Sequence, residues 1–134
     1  MAREFDLEKR TTEFAKAVIK VCKRLPRNSM NERLVGQVVG SAGSVGANYR
    51  ETNDSVGDKD FILRMKIARR EAKESQHWLE LILEANDSNE ADIEPLIKES
   101  IELIKICHQL LLSYRRESLR KLSWFLYLGH CIFS

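Results

Sequence analysis

Cysteine, proline and glycine are all scarce in this chain. The three cysteines, Cys22, Cys107 and Cys131, are odd in number and show no CxxC spacing. That excludes a complete disulfide framework and the common zinc patterns, and free thiols of this kind suit a cytoplasmic protein. Two prolines and six glycines in 134 residues leave room for long uninterrupted helices. Long apolar runs are missing too. The first ten residues, MAREFDLEKR, have none of the apolar stretch of a signal peptide. The longest apolar run, Leu122 to Phe133, falls short of the ~20 residues that a membrane-spanning helix needs. No membrane partner is expected.

What is present is the balance of a folded domain. Apolar residues make up 43% and charged residues 31%, which excludes a disordered segment. The length fits one domain with a core that needs no metal or disulfide support. The net charge is only +2 but is unevenly spread: residues 1–30 carry +4, residues 84–100 carry −5 and residues 101–134 carry +3. Such a chain can present a basic face to nucleic acid, although solvated helix faces are the plainer reading.

Four helical segments follow from the three- and four-residue recurrence of apolar positions. The first runs from Asp6 to Leu25, with Phe14, Val18, Val21 and Leu25 on one stripe, Asp6 as its cap and Pro26 as its stop. The second runs from Asn31 to Asn53, with Leu34, Val38, Ser41, Val45 and Tyr49 on one face. Its glycines fit neither a Walker loop nor a dinucleotide loop. Gly36, Gly40, Ser44 and Ala47 share one side and predict a close approach of another backbone. The third segment spans Lys59 to Leu83, with an apolar face of Phe61, Met65 or Ile67–Ala68, Trp78, Leu79 and Ile82. The fourth spans Ile93 to Tyr114, with a wide stripe of Leu96, Ile97, Ile101, Ile104, Cys107–His108 and Leu111. Short connections predict an all-α, antiparallel up-down-up-down four-helix bundle over residues 1–116. Residues 117–134 form an apolar tail, expected to pack on the bundle surface or on a neighbouring subunit.

Several constellations invite a chemical reading. A di-iron bundle needs two glutamates and two ExxH motifs. Glu74 and His77 form one ExxH, but the position partnering His108 is Lys105, so the set is incomplete and no metal is expected. An all-α Mg-dependent nucleotide pyrophosphatase would pair carboxylates from two helices around Mg²⁺. Glu71 with Glu74, and Glu99 with Glu102, are available for that alternative. His130 beside Cys131 does not make a dyad, since adjacency in sequence does not align the two groups. A polar row is the third constellation. Ser41, Ser44, Asn48 and Glu51 on the second segment would meet Glu71, Glu74 and Trp78 on the third, with Arg50, Arg69 or Arg70 neutralising the carboxylates. Setting the register of the two helices is its favoured role.

The same residues carry a family resemblance. The stretch Gln37 to Glu51, QVVGSAGSVGANYRE, is similar to one signature of the bacterial "four helix bundle protein" family, also called 23S rRNA intervening-sequence proteins. Lys59-Asp60-Phe61-Ile62, then Lys66 to Leu79 with Glu71, Glu74 and Trp78, resembles the second. The likeness covers about residues 5 to 115 and departs at Gly40, where the family often has a basic residue. It implies a homopentameric ring without enzymatic activity or cofactor. For a related branch, the accessory proteins of diversity-generating retroelements, it implies binding to nucleic acid and to a reverse transcriptase. The expected function is accordingly a non-enzymatic oligomeric bundle that binds RNA or DNA or serves as a protein scaffold. The basic residues Lys16, Lys20, Lys23, Arg24, Arg64, Lys66, Arg69, Arg70 and Lys73 are the expected phosphate contacts.

Overall fold

The computed structural model describes residues 6–133. Residues 1–5 and 134, which open the expected bundle and close the expected tail, lie outside the described residues, as do the side chains of Ile132 and Phe133. Helix α1 spans Leu7–Arg24, α2 Ser29–Glu51, α3 Gly57–Ala85 and α4 Glu90–Phe133, with single 3-10 turns at Thr52–Asp54 and Asp87–Asn89. Among the described residues there is no strand.

The helix ends follow from local chemistry. The Asp6 carboxylate accepts from the Lys9 amide at 3.1 Å, and the Asn28 side chain accepts from the Asn31 amide at 2.8 Å. Each satisfies a backbone donor that has no partner inside the helix. Leu25 is extended ahead of Pro26 and stops α1. At the start of α3 the Asp60 carboxylate accepts from the Val56 amide at 3.0 Å. Gly57 there has φ +79°, a left-handed conformation that a side chain would strain.

Helix α2 packs against α1 and α3, and α4 packs against α3 and α1. The core is built from Phe14, Val18 and Val21 of α1, Val38, Ala42 and Val45 of α2, Ala72, Leu79 and Ile82 of α3, and Ile93, Leu96 and Leu103 of α4. A second cluster closes the other end of the α3–α4 seam, where Met65, Ala68, Cys107 and Leu111 pack with Phe61 and Tyr49. Among the described residues no buried side-chain nitrogen or oxygen lacks a hydrogen-bond partner.

Two features differ from the expectation. The close helix approach falls at Gly46, where an added Cβ would stand 2.8 Å from Thr11 Oγ1 and 3.3 Å from Thr11 Cβ. Gly36, Gly40 and Gly43 have nothing within 4 Å of that position. The reason is rotational: Val38, Ala42, Val45 and Gly46 turn inward, which leaves Gly36, Gly40, Gly43 and Ala47 as an exposed strip of small residues.

The second difference is the length of α4. It does not end near Tyr114 but continues through the tail to Phe133. Its 44 residues span about 66 Å at 1.5 Å per residue, against about 44 Å for α3. The last anchors on the bundle are Leu111 and Tyr114; Tyr114 stacks on Phe61 with ring centroids 4.0 Å apart and hydrogen-bonds the Asp58 carboxylate. Beyond them the helix overhangs. Leu119, Leu122, Trp124, Phe125, Leu126 and Tyr127 are all exposed, so the bundle surface does not cover the tail.

Candidate nucleic-acid interface

The exposed face of the first half of α3, from Lys59 to Lys73, concentrates positive charge. Lys59, Leu63, Lys66, Arg70 and Lys73 recur at steps of four, three, four and three, and all five are exposed. Steps of that size keep side chains on one side of a helix. The basic strip from Lys59 to Lys73 is about 21 Å long. None of its four cations has an ion pair among the described residues. Leu63 and Ile67 line a shallow concavity with Lys66, Arg69, Arg70 and Lys73 around it. Cations without competing carboxylates are free to meet phosphate oxygens, whereas a paired cation first gives up its partner.

The nine expected contact residues do not form one surface. Lys66, Arg70 and Lys73 belong to the α3 strip. Arg64 and Arg69 are half-buried: Arg64 lies 3.7 Å from Asp60, and Arg69 Nη1 is 2.9 Å from His108 Nδ1 on α4. Lys16, Lys20, Lys23 and Arg24 lie on α1, which packs on the same two helices as α3 from the opposite side. The two basic faces therefore point apart. Lys16 reaches Glu13 at 3.5 Å and Arg24 reaches Asp92 at 3.8 Å, whereas Lys20 and Lys23 have no ion pair among the described residues. Lys59 was missed in the sequence reading because it sits beside the turn. The four-three repeat continuing through Leu63 is the signal that would have included it.

The polar row resolves into separate links. Ser41 and Ser75 meet between α2 and α3, their hydroxyl oxygens 3.1 Å apart, and the Ser75 hydroxyl is 2.8 Å from the Glu71 carbonyl. The Asn48 side chain turns back on its own helix, donating to the Ser44 carbonyl at 2.9 Å. Arg50 faces α1, where it is 3.1 Å from Glu8 and donates to Thr12 at 3.0 Å. Glu51 and Glu74 are exposed, and half-buried Trp78 makes an edge contact with His77. Burial first, and then the nearby Glu74 carboxylate, raise Glu71 above the usual carboxylate range, while Arg70 pulls the other way.

The strongest α2–α3 polar link is one the sequence reading did not identify. Asn31 and Asn86 exchange two hydrogen bonds, at 2.9 and 2.8 Å, and both are buried. Asn31 also donates to the Pro26 carbonyl, and Asn86 to the Ile82 carbonyl. Two asparagines, each next to a connection, carry no sequence signal that pairs them.

Two carboxylates of the pyrophosphatase alternative, Glu99 and Glu102, have basic partners. Arg10 binds Glu99 through two hydrogen bonds, at 2.7 and 3.0 Å, and Lys105 reaches Glu102 at 3.3 Å. Among the described residues no group of three or more His, Cys, Asp or Glu side chains comes together as a metal would require.

Compared with known proteins, the chain matches the family described as 23S rRNA-intervening sequence protein over residues 3–109. Its fold is similar to the crystal structure of a protein with unknown function from the S23 ribosomal protein family of Bacteroides thetaiotaomicron. That similarity has a TM-score of 0.68 and 29% identity, over 78% of this chain and 96% of the other. No curated protein matches. The family match ends within α4, before the overhang begins.

Proposed function

This chain belongs to the 23S rRNA-intervening sequence protein family, and on that premise we propose that it is a non-enzymatic, cytoplasmic, homo-oligomeric bundle that binds RNA or DNA through the outer face of α3. The helices run up-down-up-down in this reading. Short connections support that order, as do the contacts of Asn31 near the start of α2 with Asn86 just after α3, and of Glu8 near the start of α1 with Arg50 near the end of α2. The assembly is the homopentameric ring that the family resemblance implies. The exposed small residues Gly36, Gly40, Gly43 and Ala47 of α2 support it, because they leave room for a second backbone to approach closely.

The observation that carries the nucleic-acid reading is the row of four cations along α3, Lys59, Lys66, Arg70 and Lys73, that make no ion pair among the described residues. Contacts of this kind bind the phosphate backbone and read little sequence. A ring repeats the row once per subunit, so weak contacts reinforce one another on one long ligand.

The test is the salt dependence of binding to a DNA duplex and to a structured RNA, read by fluorescence anisotropy. Four phosphate contacts give a slope of log affinity against log salt near −3.6 on duplex DNA, so a fourfold rise in salt weakens binding about 150-fold. Replacing Lys66, Arg70 and Lys73 with glutamine flattens the slope to about −0.9. Absence of binding at low salt, or a slope that ignores the three substitutions, rules out this face. Light scattering in the same buffers gives the mass of the assembly. A ring that ignores both nucleic acids would instead point to a protein partner, for which the resemblance suggests a reverse transcriptase.

A further inference from the structure

The overhanging end of α4 gathers Leu119, Leu122, Trp124, Phe125, Leu126 and Tyr127, all exposed, into one apolar surface that the bundle leaves uncovered. We propose that it is a lipid-binding element, which inserts into one leaflet of an anionic membrane while the bundle stays outside. Three independent observations carry this assignment.

The first is the distribution of apolar residues around the helix. Leu122, Phe125 and Leu126 lie on one side, and Trp124 and Tyr127 on the other, and all five are exposed. A helix that pairs with a second protein helix needs one apolar stripe and keeps a polar back. Here both sides are apolar and no Asp, Glu, Lys or Arg occurs from 122 to 134. A lipid phase covers such a helix from every direction; a single partner helix covers one side.

The second is length. The helix from 122 to Phe133 is about 18 Å long, whereas the hydrocarbon core of a bilayer is ~30 Å thick, so one leaflet is ~15 Å. The described segment matches the depth of one leaflet, and among the described residues no helix is long and apolar enough to cross a membrane. Trp124 and Tyr127 stack loosely on one another near the base of this segment. That is where aromatic rings with a polar edge settle between headgroups and acyl chains.

The third is charge. Arg115, Arg116, Arg120 and Lys121 form a collar immediately before the apolar tip. Among the described residues only Lys121 has an ion pair there, with Glu117 at 3.4 Å. The acidic connection of residues 84–100 lies at the opposite end of the same helix. Helix α4 is therefore acidic at its start and basic where its apolar tip leaves the bundle. That orientation complements an anionic lipid surface. It replaces the expectation of no membrane partner, which rested on the absence of a spanning segment.

Vesicle flotation of the full-length protein tests the proposal. One set of vesicles is phosphatidylcholine alone and the other contains about one quarter phosphatidylglycerol. The protein is expected to float with the anionic set, weakly with the neutral set, and less as salt rises. Arg116→Gln with Arg120→Gln is expected to lower partitioning about 30-fold, at roughly a factor of five per basic residue. Trp124→Ser with Phe125→Ser is expected to abolish it. These four residues are exposed and lie outside the core, so circular dichroism of the variants should match the parent. The assignment is overturned if the parent protein does not float, if both vesicle sets bind equally, or if the serine variant floats like the parent. It is also overturned if the serine substitutions change the mass of the protein in lipid-free buffer without changing flotation, since a second copy then covers the tail.

Discussion

Asn86→Ala perturbs the link that holds α2 against α3. The Asn86 amide group donates to Asn31 Oδ1 at 2.8 Å and to the Ile82 carbonyl at 2.9 Å, and it accepts from Asn31 Nδ2 at 2.9 Å. Asn31 is 2% and Asn86 6% exposed, so water does not replace the lost partner. Truncation to alanine strands the Asn31 oxygen, while Asn31 Nδ2 keeps its bond to the Pro26 carbonyl. A stranded buried acceptor costs about 1–3 kcal/mol and each lost hydrogen bond about 1 kcal/mol net. Three lost bonds and one stranded acceptor total about 4–6 kcal/mol, or roughly 15 °C in Tm for a chain of this size. Equilibrium unfolding in urea measures it as a fall in midpoint at constant slope. The double variant Asn31→Ala/Asn86→Ala is expected to be less damaging than the two single losses added together, by about 1–2 kcal/mol, because the second truncation removes the stranded group. A single loss under about 0.5 kcal/mol, or strict additivity, would refute the reasoning, since the pair would then carry no coupling.

Three further outcomes are expected. Gly40→Ala should stabilise the chain by up to about 1 kcal/mol through helix propensity, because its Cβ meets nothing within 4 Å; loss of stability together with a fall in assembly mass would put a second copy on that face. Gly46→Ala should lower stability by about 1 kcal/mol, since Thr11 stands 2.8 Å from the new Cβ and overpacking outweighs the propensity gain. Burial raises the Cys107 thiol from 9.0 to about 11, so its contribution is fully present below pH 9 and is lost as pH rises toward 11. That is about 2–3 kcal/mol of stability, and Cys107→Ala should remove this part of the alkaline decline in unfolding midpoints.

The helical stripes were legible because burial on a helix has a period, and the period survives in sequence. Phe14, Val18, Val21 and Leu25 are all buried as the recurrence requires, and so are Val38, Val45, Met65, Leu79, Ile82, Leu96 and Leu111. The polar residues were less legible. Ser41, Glu71 and Asn31 look alike as polar letters on helical segments, yet one is bonded across the seam, one is half-exposed and one is locked to a residue fifty-five positions away. Which side chain meets which depends on the rotation and height of two packed helices, and small shifts in either change the partner. The basic residues show the same limit. Lys20 and Lys66 are equivalent in composition, but α1 and α3 occupy opposite sides of the bundle, so only tertiary packing separates them into two faces.

The sequence by itself determined the class of this protein: an all-helical chain without a spanning segment or a disulfide framework, bearing two long motifs that belong to one family. Those properties live in composition, periodicity and order, which are local. Only the tertiary structure decided that Gly46 rather than Gly40 marks the close approach, that Asn31 and Asn86 form the buried link, and that α4 outruns the bundle. The physical reason is common to all three. Each depends on what lies opposite a residue in space, and a helix stripe says which way a side chain points without saying what stands there.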